Sequence, residues 1–350
     1  DTTTIPADLA NLTTAQKNAL VAIAAAERSD FINFGSYATV ITVAPKQPLN
    51  FSAATALNVD VTGNAYLASM GDALLANVSV SGEARFKVRG SIVNATPSSA
   101  AIDTDTLILE ASGGGIGLIA NSNGSYDDQP LRVAVHTGKS LVARAQAGID
   151  ITSTATLNID TVFSPNDIKL TSTAGSLLNA NGDLLINILG RNVVLNAASG
   201  TIGATGGLHA LNIGNSAGGG VTTNALGLVN LYGPSGYQLV IKSVVSAADV
   251  LVTAALDVTV DGTVSSAGHV EFDVAGLLSL TANSRIDSTA NAVDVNTSFG
   301  SLPANSRLSM AAGSRISGAT GVTLVTGGAA TLATLLAANG NIAVTAGGAI

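Results

Sequence analysis

Residues 107–116 read Leu-Ile-Leu-Glu-Ala-Ser-Gly-Gly-Gly-Ile. The same cadence returns at 168–177 as Ile-Lys-Leu-Thr-Ser-Thr-Ala-Gly-Ser-Leu and at 193–202 as Val-Val-Leu-Asn-Ala-Ala-Ser-Gly-Thr-Ile. Shorter versions stand at 149–157 (IDITSTATL), 278–286 (LSLTANSRI), 308–316 (LSMAAGSRI) and 342–350 (IAVTAGGAI). Each unit is aliphatic-x-aliphatic-x-small, then a Gly/Ser/Asn turn, then another aliphatic residue. Alternation with period two marks a strand with one buried face. The small, glycine-rich part marks a corner tight enough to call for positive φ. Starts at 149, 168 and 193, and later at 322 and 342, lie 19 to 25 residues apart, about one coil of a stacked repeat. The pattern predicts an all-β chain wound as a parallel β-helix (β-solenoid).

Composition agrees with that winding. In such a coil, strands lie ~4.8 Å above their predecessors and inward side chains form columns. A narrow interior accepts Val, Ile, Leu and Ala, and the chain has no Trp and only 7 Phe and 5 Tyr among 350 residues. Outward positions, as in Asp150-x-Thr152 and Thr259-x-Asp261, favour residues that stack without like-charge repulsion. Charged residues are 11% of the chain, against about 25% in an average soluble domain. The hydrophobic fraction of 47% excludes disorder, which pairs low hydrophobicity with high charge. Mean hydropathy is +0.44, yet no window approaches the ~20 uninterrupted apolar residues of a spanning helix. The most apolar windows, 19–26 and 329–338, are short or broken by Thr.

Charge and cysteine narrow the function classes. A net charge of −8 with 15 Lys and Arg spread along the chain leaves no basic patch to displace counterions from phosphates. Nucleic acid is not an expected partner. The absence of Cys excludes disulfides, thiolate metal sites and thiol nucleophiles. The sequence starts at Asp1 without a leader pattern, which is expected of an exported product or of a segment of a longer protein.

Two regions depart from the repeat. Residues 7–29 place Leu9, Leu12, Ala19, Leu20, Ile23 and Ala24 at helical spacing after Pro6, which predicts a short N-terminal α-helix within 1–35. It would cap the first coil or dock a neighbouring subunit. The β-helix is then expected over 36–350, about fifteen coils, with the Pro-, Ser-, Asn- and Asp-rich stretches 94–105 and 121–130 as loops bulging from corners. After Arg315 no charged residue follows through Ile350. Solenoid ends are normally blocked by polar caps, so continuation is expected, as further repeats of the same polypeptide or as another copy stacked end to end.

Candidate chemistry is sparse. His136, His209 and His269 stand far apart with no metal-ligand spacing. Asp127-Asp128 and Asp103-x-Asp105 are carboxylate pairs of the kind that bind Ca²⁺ or act as acid and base on a glycosidic bond, though acidic loop residues are usually only solvated. Gly113–Gly117 (GGGIG) lacks the Asp of a calcium-binding nonapeptide and the Lys-Ser/Thr of a phosphate loop. No Gly-x-Ser-x-Gly or His-Glu-x-x-His motif occurs. Asn-x-Ser/Thr triplets, such as those at Asn77, Asn94 and Asn296, are no commoner than chance. No residue is assigned a catalytic, cofactor-binding or metal role, and no cofactor is expected.

The units LILEASGGGI, IKLTSTAGSL, VVLNAASGTI and IAVTAGGAI resemble the repeats of filamentous-haemagglutinin-like exoproteins and related giant bacterial adhesins, over roughly residues 55–350. The resemblance implies a right-handed β-helix at the cell surface, a rigid shaft for adhesion with surface glycans or matrix as partners. The Asn-Pro-Asn-type motifs of the secretion-recognition domain are missing, so the chain would be shaft rather than head. Three functions are weighed. The first is a non-enzymatic structural rod, the second a self-polymerising filament subunit, and the third a carbohydrate-active β-helix enzyme using Asp127 and Asp128.

Overall fold

The computed structural model describes residues 49–50, 56–97, 102–206, 209–298 and 306–350. The expected helix at 7–29 and the 1–35 cap segment lie outside the described residues. What is described is all-β, and almost every strand pairing is parallel. The expected β-solenoid is present.

One ladder runs the length of the winding. Val59 lies in register with Val78, then Ile102, Val133, Ser153, Ser172, Ala197, Ala225, Ser246, Ser266, Ser288, Gly318 and Ala337. Among the described residues this ladder has thirteen rungs; the expectation of about fifteen coils covers 36–350, part of which lies outside the described residues. At ~4.8 Å per rung the stack is about 60 Å tall. A second ladder sets Leu67 under Phe86, Leu109 and Ala143. A third takes Leu157 through Leu177, Ile202, Val229, Val250, Val270, Val293 and Val322 to Ile342.

The alternation seen in the sequence is the cause of the core. Strands such as Leu131–Val135, Ile168–Ser172 and Val270–Val274 bury every second side chain, and the buried set forms one continuous cluster from Val59 to Ala330. Among the described residues the interior admits two benzene rings, Phe86 and Phe272, both fully buried. Each is stacked between aliphatic neighbours, Leu67 and Leu109 in one case and Val252 and Val295 in the other.

Serines close the corners. Ser172, Ser246 and Ser288 are buried, and each hydroxyl donates to a corner carbonyl one coil earlier, of Ala155 (2.8 Å), Gly227 (2.7 Å) and Gly268 (2.6 Å). Ser266 does the same to Ala248. The Ser246 oxygen also accepts the amide of Ala248 at 3.0 Å. One hydroxyl therefore shapes its own turn and ties it to the turn below, which satisfies backbone groups that a tight buried corner would otherwise strand.

Both expected loops contain strand residues. Within 94–105, residues Ile102–Ala111 form a strand, because Ile102 and Thr104 alternate inward while Asp103 and Asp105 point outward. Within 121–130, Tyr126–Asp128 pairs antiparallel with Leu118–Ala120. This hairpin is an excursion from the coil. Ile116 bridges to Ile149 and Leu131 pairs with Ile151, so residues on either side of 117–130 rejoin as one strand in the next coil, Ile149–Ser153.

Candidate functional site

The hairpin stands beside the outer face of the next coils and creates a groove of about 320 Å³. Leu118, Tyr126 and Asp128 line it from the hairpin, and Asp150, Asp167, Lys169, Arg191 and Asn192 from successive rungs. The winding sets this up: Asp150 and Lys169 are register partners on adjacent coils, and Lys169 lies in register with Val194. Gly117 makes the sharp departure possible. Its φ is +69°, and a Cβ there would stand 1.9 Å from the carbonyl oxygen of Asp150.

The electrostatics are mostly closed within the groove. Lys169 Nζ lies 2.9 Å from Asp150 Oδ2 and 3.9 Å from Asp128 Oδ2. Arg191 Nε donates to Asp167 Oδ1 at 2.9 Å, and Asn192 Nδ2 donates to the same oxygen at 3.0 Å. Expected from its phase to point outward, Asp150 does face out, but its side chain is only 2% exposed. Desolvation pushes its carboxyl up, and the Lys169 ammonium offsets this only in part. The bond from Asp150 in turn raises Lys169. Desolvation would also raise Asp167, but the Arg191 and Asn192 bonds outweigh it and hold the carboxyl below its usual range. Asp150 Oδ1 is buried and has no hydrogen-bond partner.

A second cluster lies on the surface one rung earlier. His136 Nε2 is 2.7 Å from Asp103 Oδ1, and its Nδ1 is 2.9 Å from Asp105 Oδ1. Lys139 Nζ lies 3.4 Å from Asp105. With a carboxylate at each ring nitrogen, both nitrogens must donate, so the geometry fits the imidazolium. His136 is accordingly raised, chiefly by Asp105 and then by Asp103, and Asp105 is lowered by His136.

The residues singled out in the sequence are thus distributed as follows. Asp103 and Asp105 meet His136. Asp128 reaches the groove, while Asp127 is exposed on the hairpin in register with Ile119. His269 pairs with Asp294 at 2.8 Å, and His209 is exposed elsewhere. The GGGIG run is a corner lying directly on the preceding one, with a Cβ on Gly114 falling 2.5 Å from Gly90. Among the described residues, no three His, Asp or Glu side chains are placed to hold a metal ion, and no helix is long and apolar enough to cross a membrane. Sequence reasoning missed Asp150, Asp167, Lys169 and Arg191. The signal for them was opposite charges one repeat apart, 19 residues for Asp150 and Lys169 and 24 for Asp167 and Arg191. No family model, curated protein or solved structure matches the chain.

Proposed function

We propose that the chain is a non-enzymatic structural rod, the shaft of a bacterial surface adhesin or a building block of an extracellular filament. The thirteen-rung parallel ladder is the observation that carries this reading. It makes a stack whose every coil is hydrogen-bonded to its neighbours and whose core is continuous, an arrangement suited to reach and stiffness rather than to enclosing a substrate. The winding is assigned a right-handed sense on the rule that about 98% of parallel crossovers take that hand. The likeness of the repeats to filamentous-haemagglutinin-like proteins supports a location outside the cell.

A second reading is end-to-end assembly of copies of the chain, in which a head-to-tail contact would be open and non-closing and hence give a fibre. Electron microscopy of the purified chain tests both readings. Separate rods with a long axis of at least about 60 Å support the shaft, long filaments support the polymer, and compact globules refute both.

A further inference from the structure

We infer that the groove between the hairpin and the coils at Asp150 and Lys169 is a lateral binding site for a neutral saccharide chain. This goes beyond the shaft reading and stands or falls independently of it. Three observations converge. First, the groove is built by an insertion, and in stacked repeats the face that carries insertions is often the binding face. Second, its floor holds an unspent acceptor: Asp150 is 2% exposed, and its Oδ1 has no hydrogen-bond partner. A buried acceptor without a donor is costly, and an entering hydroxyl supplies the donor that the fold does not. Third, the wall carries Tyr126, 38% exposed, beside Leu118, a flat apolar surface of the kind on which the C–H face of a pyranose packs.

The charges select among ligands. Both cations are already engaged, Arg191 by Asp167 and Lys169 by Asp150 and Asp128, while Asp128 remains 67% exposed. The surplus in the groove is therefore hydrogen-bond acceptor with negative charge, which disfavours an acidic polymer. Lys169, at the centre, disfavours a second ammonium or a divalent cation. What remains is a ligand that offers many neutral donors and a flat apolar face, and that is a chain of sugars with free hydroxyls.

Direct binding of cello-, malto-, xylo-, manno- and chitohexaose to the full chain, followed by saturation-transfer NMR and calorimetry, tests the proposal. At least one should bind saturably. Tyr126→Ala, on an exposed side chain that leaves the core untouched, should weaken it about tenfold, and Asp150→Asn should weaken it as well. Spermidine and a galacturonate oligomer serve as charged probes. The inference is overturned if no neutral hexasaccharide binds at up to roughly 10 mM. It is equally overturned if binding is indifferent to Tyr126→Ala, or if only the amine or only the acidic probe binds. Rods seen by microscopy with no sugar bound would leave the shaft standing and remove the site.

Discussion

Phe272→Ala is the sharpest probe of a stacked core. The ring is fully buried, with Val252 and Val295 in register on the coils before and after it. Removing it forfeits about 2–3 kcal/mol of transfer free energy. The flanking strands Val250–Ala254 and Ala292–Asn296 are held at fixed ladder spacing and cannot close the void. The total should therefore approach about 4 kcal/mol, inside the range for large-to-small aromatic substitutions. In a stack where each coil touches only its neighbours, that loss stays local. Hydrogen exchange should show amides of 250–254, 270–274 and 292–296 losing up to about a thousandfold in protection. Amides of Ala65–Ser69 should keep theirs. Phe272→Leu, which keeps most of the volume, should cost under about 1.5 kcal/mol. A loss below about 1 kcal/mol for Phe272→Ala, or protection falling evenly along the chain, would refute a quasi-one-dimensional core.

Gly117→Ala should disrupt the hairpin, because it combines a left-handed φ with a Cβ 1.9 Å from the Asp150 carbonyl oxygen. Gly138→Ala, with φ +76° and open space around it, should cost only about 1–2 kcal/mol; equal losses in a denaturant titration would contradict the packing described. Lys169→Met should cost about 1–2 kcal/mol, since it leaves a buried carboxylate uncompensated while the lost ammonium was itself 40% exposed. Asp150 has a folded pKa raised above its unfolded value, so its contribution is present below the ordinary value near 3.8 and is lost as pH rises through the raised one. Asp150→Asn should therefore gain on the native protein as pH rises through that window, and a gap in stability that stays flat with pH would count against it. His136 is raised above 6.5, so the stability from its clamp is complete below the unfolded value and fades as pH climbs through the folded one. Its NMR titration midpoint should fall in Asp105→Asn, and an unmoved midpoint would show the clamp to be absent in solution.

The winding was legible because two local rules agree at every repeat: aliphatic residues with period two, and small residues where the corner must turn. Ile168, Leu170 and the Gly175 corner announce themselves without reference to anything distant. Phase was harder. Asp103 and Asp105 look like loop residues by composition, yet the intervening Ile102 and Thr104 point inward and make the segment a strand. Asp150 has the sequence context of a solvated outward residue. Its burial depends on the hairpin of the preceding coil, which a local reading of its own strand does not see. Corner serines such as Ser246 and Ser288 are equally silent, since their carbonyl partners lie 19 and 20 residues back, a distance that becomes meaningful only once the coil length is known. The groove combined all three difficulties.

The return of the chain in register after residues 117–130 has a consequence for how such a molecule can change. Because Ile116 and Leu131 meet Ile149 and Ile151 as though nothing stood between them, the excursion is a peg on an otherwise uninterrupted wall. Its tip can drift in length and chemistry, or be exchanged for a foreign epitope, while its base stays tied to the wall through the buried Asn94, whose Nδ2 donates to the Pro130 carbonyl at 2.7 Å. Novelty on this scaffold accumulates outward, at the pegs, while the wall stays the same.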